Sequence, residues 1–373
     1  MSDYKPTIFT SFINRRTGKV IYQIPVMNRL SLHKDIRQLT DTFDFDINYR
    51  LSDKIDLQSH DFVEFYFLLN GNKHQISCGF VEDFVSETTA TAHHFQANGR
   101  DFLGQLFNLN FIKAFPFKET TMLGLVSACV ENAYLPEYAK LKNLPQIVVD
   151  NGAYAGSLIV PELTDSKIAP ILQSTADEVF NIVYQNRFGQ AVVWGRNYSY
   201  DLVIFGHSLN DTNDPNVMKF QLRENFSKVF SECKVFYTGG ENNLDYKNTP
   251  SKLLANTEPK ARNIYQPEIR TFQTSTLIRT KGEIGVFDKK DQLAASILRK
   301  SNQNLTQILI STSRPYFVTK AGGLIPYEIN QLWQINSERH KISQRMRCAA
   351  ISYNHTPEGM TVDLLFIGSD TLT

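Results

Sequence analysis

The sequence predicts a β-rich α+β chain in which two antiparallel, barrel-like strand regions flank a mixed α/β middle. Three observations predict it. Aromatic residues make up 12% of the 373, led by 26 Phe and 16 Tyr against 2 Trp, and flat rings pack well on pleated, half-buried surfaces. Short runs rich in aromatic and β-branched residues, several with apolar and polar positions alternating, recur at both ends of the chain. Apolar residues at helical spacing are confined to a few segments between residues 101 and 302. At roughly 150 residues per domain, the length allows two to three domains, each able to bury its own core. Hydrophobic residues at 42%, charged residues at 21% and only 19 Gly exclude disordered and collagen-like chains.

Taken in order, VIYQIPV, FDFDINYRL, FVEFYFLL, HQISCGFVEDFV and TTATAHHFQANG between residues 20 and 99 read as strands. Asn70-Gly71 between two of them is a two-residue hairpin turn. Asp101 to Asn108 reads as a short helix and Lys118 to Tyr134 as a longer one, with Met122, Leu125, Val126, Cys129 and Ala133 at helical spacing and Pro136 closing it. Residues 146 to 172 read as extended. Thr175-x-x-Glu178 resembles a capping box, which predicts a helix over Asp177 to Phe188 with Gly189 as its stop.

A hairpin over Gln190 to Asn210, turning near Gly195 to Tyr198, follows, then a loop at LNDTNDPN, two strands within residues 219 to 240, and a polar excursion from Glu241 to Pro267. Asp288 is positioned to cap a helix running to Asn302, and the strands LTQILISTS, QLWQINSER, MRCAAISYN and MTVDLLFIG finish the chain. The expected organisation is therefore residues 1–98 as a first barrel-like unit and 99–206 as a mixed α/β domain. Residues 207–270 form a strand insertion with an exposed excursion, and 271–373 a helix plus a second barrel-like unit.

No set of residues assembles an active site. Gly206-His207-Ser208-Leu209-Asn210 has part of a nucleophile elbow, but NDTNDPN follows where the elbow needs a helix, and turn chemistry is the better account. A calcium loop starting at Asp211 would place Leu222 where a bidentate glutamate belongs. Asp41, Asp44 and Asp46 offer an acid pair or metal corner, yet alternation puts Asp44 and Asp46 on a solvated face opposite Phe43 and Phe45. His93 and His94 point to opposite faces of a strand, so the pair cannot chelate one ion by itself.

Gly239-Gly240 and Gly322-Gly323 lack the flanking residues of a phosphate cradle and read as turns. Arg339, His340, Lys341, Arg345 and Arg347 form a basic cluster, best read as a solvated or subunit-contacting hairpin. Cys78, Cys129, Cys233 and Cys348 are too scattered for a metal site and read as free, buried thiols. The N-terminus lacks a signal-peptide pattern, and no run approaches the ~18 apolar residues of a spanning helix. With 39 basic against 38 acidic residues, the formal charge of +1 gives no global reason to hold a polyanion or an anionic membrane. The expectation is a non-enzyme, with no catalytic, cofactor-binding or metal residues and no cofactor.

The order of features carries more than any motif. The strand, Asn-Gly turn and Cys78-Gly79-Phe80-Val81 strand are followed by Ala97-Asn98-Gly99-Arg100-Asp101-Phe102-Leu103-Gly104-Gln105-Leu106. After these come the helix from Thr120, the helix expected over Asp177 to Phe188 ending in Phe188-Gly189, the strands around Val193 to Val203, RENFSKVFSECKVFYTG, the helix from Asp288, Leu332-Trp333-Gln334-Ile335 and the closing strands. In this order the chain resembles baseplate hub proteins of Mu-like contractile-tailed phages, relatives of the T4 hub and of the first part of type VI secretion spike proteins. Trp333 runs directly into a strand, without the family's turn at that step.

The resemblance implies a homotrimeric ring joining the six-fold tail tube to a separate three-fold central spike, with DNA passing through its lumen and no membrane insertion. It implies a place in the baseplate of a virion tail, assembled in the bacterial cytoplasm. Since the sequence stops soon after the last strand, the spike is expected to be a separate chain. The competing expectations are a tail-associated cell-wall or carbohydrate-degrading enzyme using Asp44, Asp46 or Ser208, and a β-rich receptor-binding module.

Overall fold

A computed structural model describes residues 7–25, 28–49, 57–69, 71–90, 93–110, 120–131, 133–158, 167–195, 207–211, 214–238, 252–273 and 286–368. As the sequence predicts, the chain is β-rich, at 49% strand and 17% helix. The first strands are β1 (Ile8–Ile13), β2 (Val20–Pro25), β3 (Arg29–Asp35), β4 (Thr42–Tyr49), β5 (Phe62–Leu69), β6 (Asn72–Thr88) and β7 (His93–Arg100). Leu69 pairs with Asn72 across the predicted two-residue turn, and Gly71 supplies its φ of +79° at no steric cost.

The middle holds a 3-10 turn at Phe102–Phe107, α1 (Met122–Val130), α2 (Leu135–Leu141), β8 (Val148–Asn151), α3 (Ile168–Glu178), β9 (Asn181–Gln185) and β10 (Ala191–Gly195). Then come β11 (Ser208–Asn210), β12 (Lys219–Arg223), β13 (Glu232–Thr238), β14 (Leu254–Ala255), α4 (Pro259–Arg262), β15 (Pro267–Gln273) and α5 (Val286–Ser301). The chain ends with β16 (Gln307–Thr312), β17 (Tyr316–Val318), β18 (Leu324–Pro326), β19 (Leu332–Ser337), β20 (Ile342–Thr356) and β21 (Gly359–Gly368).

Several elements differ from expectation for identifiable reasons. The helix expected over Asp177 to Phe188 lies one element earlier: α3 ends at Glu178, Phe180 turns left-handed at φ +57°, and Asn181–Gln185 is a strand. Thr175 is inside α3, so it caps nothing, and the β-branched pair Ile182-Val183 joins β10 instead. Part of the stretch expected to be extended, from Ile168 onward, is consequently helical. Pro136 opens a helix where it was expected to close one, because its missing N–H costs nothing in a first turn. Helix α5 starts at Val286, which puts Asp288 in its first turn rather than before it. Of the second arm of the hairpin expected after Gly195, residues 196–206 lie outside the described residues, and its end, Ser208–Asn210, is β11, which pairs in parallel with β19 rather than with β10. The polar excursion contributes β14 and α4 among its described residues.

Thirteen strands form one sheet, in the order β12-β16-β21-β20-β3-β4-β7-β6-β5-β1-β2, with β19 also paired to β20 and β11 to β19. Antiparallel pairing of β20 with β3 joins the strands of both chain ends into this sheet. No closed barrel forms among the described strands. The sheet nevertheless curls around its apolar face: Phe12 of β1 meets Phe45 of β4 and Phe95 of β7, at 5.6 and 6.0 Å between ring centroids, although other strands separate them in the ladder. One large apolar core fills this side, from Ile8 to Ile367. A second core, under α1, α2 and α3, packs on the other side of β1, β5 and β6 through Ile13, Phe62 and Phe80.

Glu64 ties the two layers together. It is 1% exposed and accepts from Tyr138 Oη at 2.8 Å and from the ammonium groups of Lys73 at 2.7 Å and Lys142 at 2.6 Å. Burial alone would raise its pKa, but the two lysines outweigh burial and hold it below the ordinary value.

Candidate functional site

The sequence-predicted chemistry is dispersed. Ser208 begins β11 and pairs in parallel with β19, its neighbour His207 lying against the Phe317 ring at 5.7 Å. Asp211 accepts from the Ser337 hydroxyl, and Asp214 takes the backbone N–H of Asn216 at 2.9 Å, which is turn chemistry. Gly322 sits at φ +80° in the turn between β17 and β18, and Gly239-Gly240 lies outside the described residues. The four cysteines are buried and free. Burial pushes the Cys78 and Cys129 thiols up to about 12, far from a thiolate nucleophile. Among the described residues no three His, Cys, Asp or Glu side chains are grouped to hold a metal.

The expected basic cluster separates. Arg339, His340 and Lys341 sit at or beside the turn between β19 and β20, with the His340 ring stacked on Phe220 at 5.8 Å. Arg347 is interior, 3% exposed, donating to the Asn330 carbonyl at 2.8 Å and lying 4.8 Å over the Trp194 ring. Its position facing Trp194 of β10 depends on a bulge between Cys348 and Ala350, which simple alternation cannot anticipate.

The three aspartates also part company. Asp44 and Asp46 lie on the polar face opposite Phe43 and Phe45, as alternation predicts, and pair with Arg29 and His94. His93 instead meets Thr88 at 2.6 Å. Asp41 is buried, with Oδ2 3.6 Å from the ammonium of Lys34, which is itself 2% exposed. Beside them Asp101 accepts from Thr40 Oγ1 at 2.7 Å, from the Asp41 backbone N–H at 3.1 Å and from that of Gly104 at 2.9 Å, capping the 3-10 turn. Burial raises the pKa of both carboxylates, Asp101 less because those three donors oppose it. Lys34 was legible in principle, because it follows Leu30 and Leu32 at core parity in β3.

What the fold does assemble is an extended polar surface. Pairing registers align Thr42, His33, Ser352, Asp363, Ser311 and Lys219 in one row across six strands. His33 Nδ1 meets Ser352 Oγ at 2.9 Å, and the Ser311 hydroxyl donates to Asp363. A neighbouring row carries Asp83, Asn98, Asp44, Ser31, Asn354 and Thr361. Opposite-parity residues such as Leu32, Phe43, Tyr353 and Val362 are buried in the large core. This is a one-sided antiparallel sheet with a solvated face.

No protein-family model and no curated protein sequence matches the chain. Solved structures do. The 43 kDa tail protein of prophage MuSo2 from Shewanella oneidensis is similar with a TM-score of 0.69 at 15% identity, over 98% of this chain and 100% of that one. The tail protein from Neisseria meningitidis MC58 is similar with a TM-score of 0.68 at 15% identity, over 99% of this chain and 98% of that one. A chain of the Francisella PdpA–VgrG complex is similar with a TM-score of 0.53 at 10% identity, and there 99% of this chain covers 58% of the longer one. The chain thus has the fold of these two tail proteins, one of them from prophage MuSo2, shared at lower similarity with a chain of a VgrG complex, in line with the hub-like order of its sequence features.

Proposed function

We propose that the chain is a structural hub of a phage or prophage tail baseplate. Three copies form a ring between the six-fold tail tube and a separate three-fold spike, and DNA passes through it. The observation that carries this reading is likeness of fold over essentially the whole chain to two tail proteins of matching length, one of them from a prophage. In this reading residues 1–98 and 271–373 are two tube-like units, 99–206 the mixed domain and 207–270 an insertion. Three copies then present six such units to the tube. A closed ring of identical chains needs heterologous contacts, one patch on each copy meeting a different patch on the next. Among the described residues the sheet ends in different strands, β2 and β12 among them, which offer unlike edges. Mass measurement in solution is expected to give a trimer, with rings visible by electron microscopy. A strict monomer at high concentration with no ring overturns the reading.

The reading assigns the chain no catalysis. On cell-wall and glycan substrates the purified protein is expected to show no turnover, and Asp44→Asn and Ser208→Ala are expected to behave like the unaltered chain. Turnover lost in either variant would establish the enzymatic alternative instead.

A further inference from the structure

The three-stranded sheet β8-β10-β9 leaves a hollow where it meets the segment between β18 and β19. Its pairing registers put Val149, Val192 and Tyr184 in one row and Asn151 and Trp194 in the next, on the same face. These residues line an open cavity of about 290 Å³, together with Glu328 and Asn330 from the facing segment and Phe188 from the turn between β9 and β10. Ligand sites start at ~300 Å³, so the space suits a small ligand of roughly one or two rings.

The lining selects among ligands. Glu328 is its one carboxylate, and no lysine or arginine is part of it. A phosphate would find no cation to pair with there, and a calcium ion too few oxygens of charge. The other polar groups are mostly carboxamides, Asn151, Asn330 and Gln190 among them, and each offers donors and an acceptor at one tip. Apolar surface lies next to them: Val149 and Val192 on the sheet, and the Phe188 ring, 42% exposed.

Two of these polar groups have capacity to spare. The Asn151 side chain makes no hydrogen bond with a described residue, to judge by its absence from every side-chain contact of the fold. A carboxylate accepts at about four positions, whereas Glu328 takes the Arg187 backbone N–H at 3.4 Å and stands 3.7 Å from Arg187 Nε, too far for a hydrogen bond. Spare acceptors and donors around an apolar floor match a molecule with hydroxyls on its rim and C–H groups on its faces.

We infer that this hollow binds a neutral saccharide of roughly one or two rings, with Glu328, Asn151 and Asn330 holding hydroxyls and Phe188 meeting a C–H face. The inference does not depend on the ring reading. It assigns binding without cleavage, because glycoside hydrolysis uses a pair of carboxylates and Glu328 has no second one in the lining.

Calorimetric titration and ligand-observed NMR on the full chain test it, with N,N′-diacetylchitobiose, cellobiose and maltose as probes and inorganic phosphate and tetraglycine as competing chemistries. Saturable binding of at least one of the sugars is expected. Val149→Trp, which fills the floor, is expected to abolish it, and Glu328→Gln to weaken it about tenfold. Asn151→Ala, expected to weaken it several-fold, keeps the test intact if either of the others fails to fold. Absence of sugar binding, or equal affinity in all folded variants, overturns the inference. Binding of phosphate or tetraglycine in place of the sugars overturns the ligand class.

Discussion

Gly99→Ala is expected to destabilise the protein by about 3 kcal/mol, at the upper end of what overpacking a tight core costs. Gly99 is the penultimate residue of β7, opposite Val81 and next to the bulge that β6 makes between Val81 and Asp83. A Cβ there would sit well inside van der Waals contact of the Phe80 carbonyl oxygen and of the Phe43 ring. Rotating Phe43 cannot relieve the contact with Phe80, because that atom is backbone, so β6 and β7 must separate. Separation also strains the flanking residues, since Arg100 holds Glu82 and Asp101 caps the 3-10 turn. Gly71→Ala is the matched comparison. Gly71 has no neighbour within 4 Å of an added Cβ and loses only its ease at φ +79°, worth roughly 1 kcal/mol. Urea unfolding of the two variants checks both figures, and a Gly99→Ala midpoint equal to that of Gly71→Ala would refute the close-approach argument.

The same segment shows what was legible in the sequence. Gly99, Arg100 and Asp101 stand out as a motif, and each has its own local role: Gly99 permits close strand approach, Arg100 forms an ion pair across the bulge, and Asp101 caps the 3-10 turn. Alternation located Asp44 and Asp46 on the polar face because β4 keeps a strict two-residue period. Local pattern failed where distant partners decide. The strand at Asn181–Gln185 is a strand because β10 pairs with it, and its Ile-Val pair suits either conformation. The polar face was illegible as a unit, since its rows depend on registers such as His33 against Ser352, 319 residues apart. No local signal encodes that pairing. The buried Lys34–Asp41–Asp101 group is hidden for the same reason: local pattern groups Asp41 with its sequence neighbours, whereas its spatial partners come from β3 and the end of β7.

That buried group gives the protein an unusual response to pH. Burial is the largest influence on Asp41 and pushes it up to about 8 against the attraction of Lys34. Asp101 is pushed up to about 6, again by burial first. An unfolded aspartate titrates near ~4, so between that value and about 8 the folded chain binds more protons than the unfolded one. Stability is then full below the unfolded value and falls as the pH rises through the folded ones. Glu64 acts oppositely: its lowered pKa stabilises the fold above the unfolded value, and that contribution is lost on acidification.

The two limbs meet in mildly acidic solution, where the protein is expected to be most stable. Asp41→Asn removes the carboxylate with the larger shift and keeps an oxygen able to accept from the Asp35 N–H. Lys34 is not stranded by this change, because Asp101 still attracts it. The variant is expected to lose far less stability than the parent between pH 6 and 9, the difference at the alkaline end being on the order of a few kcal/mol. In mildly acidic solution, where Asp41 is already neutral in the folded parent, the gap should shrink or reverse, since the new amide places a donor beside the Lys34 ammonium. Thermal unfolding of both proteins across that range measures the two slopes. Parallel slopes would mean that Asp41 carries its charge in the fold at no cost, and that Lys34 neutralises it completely.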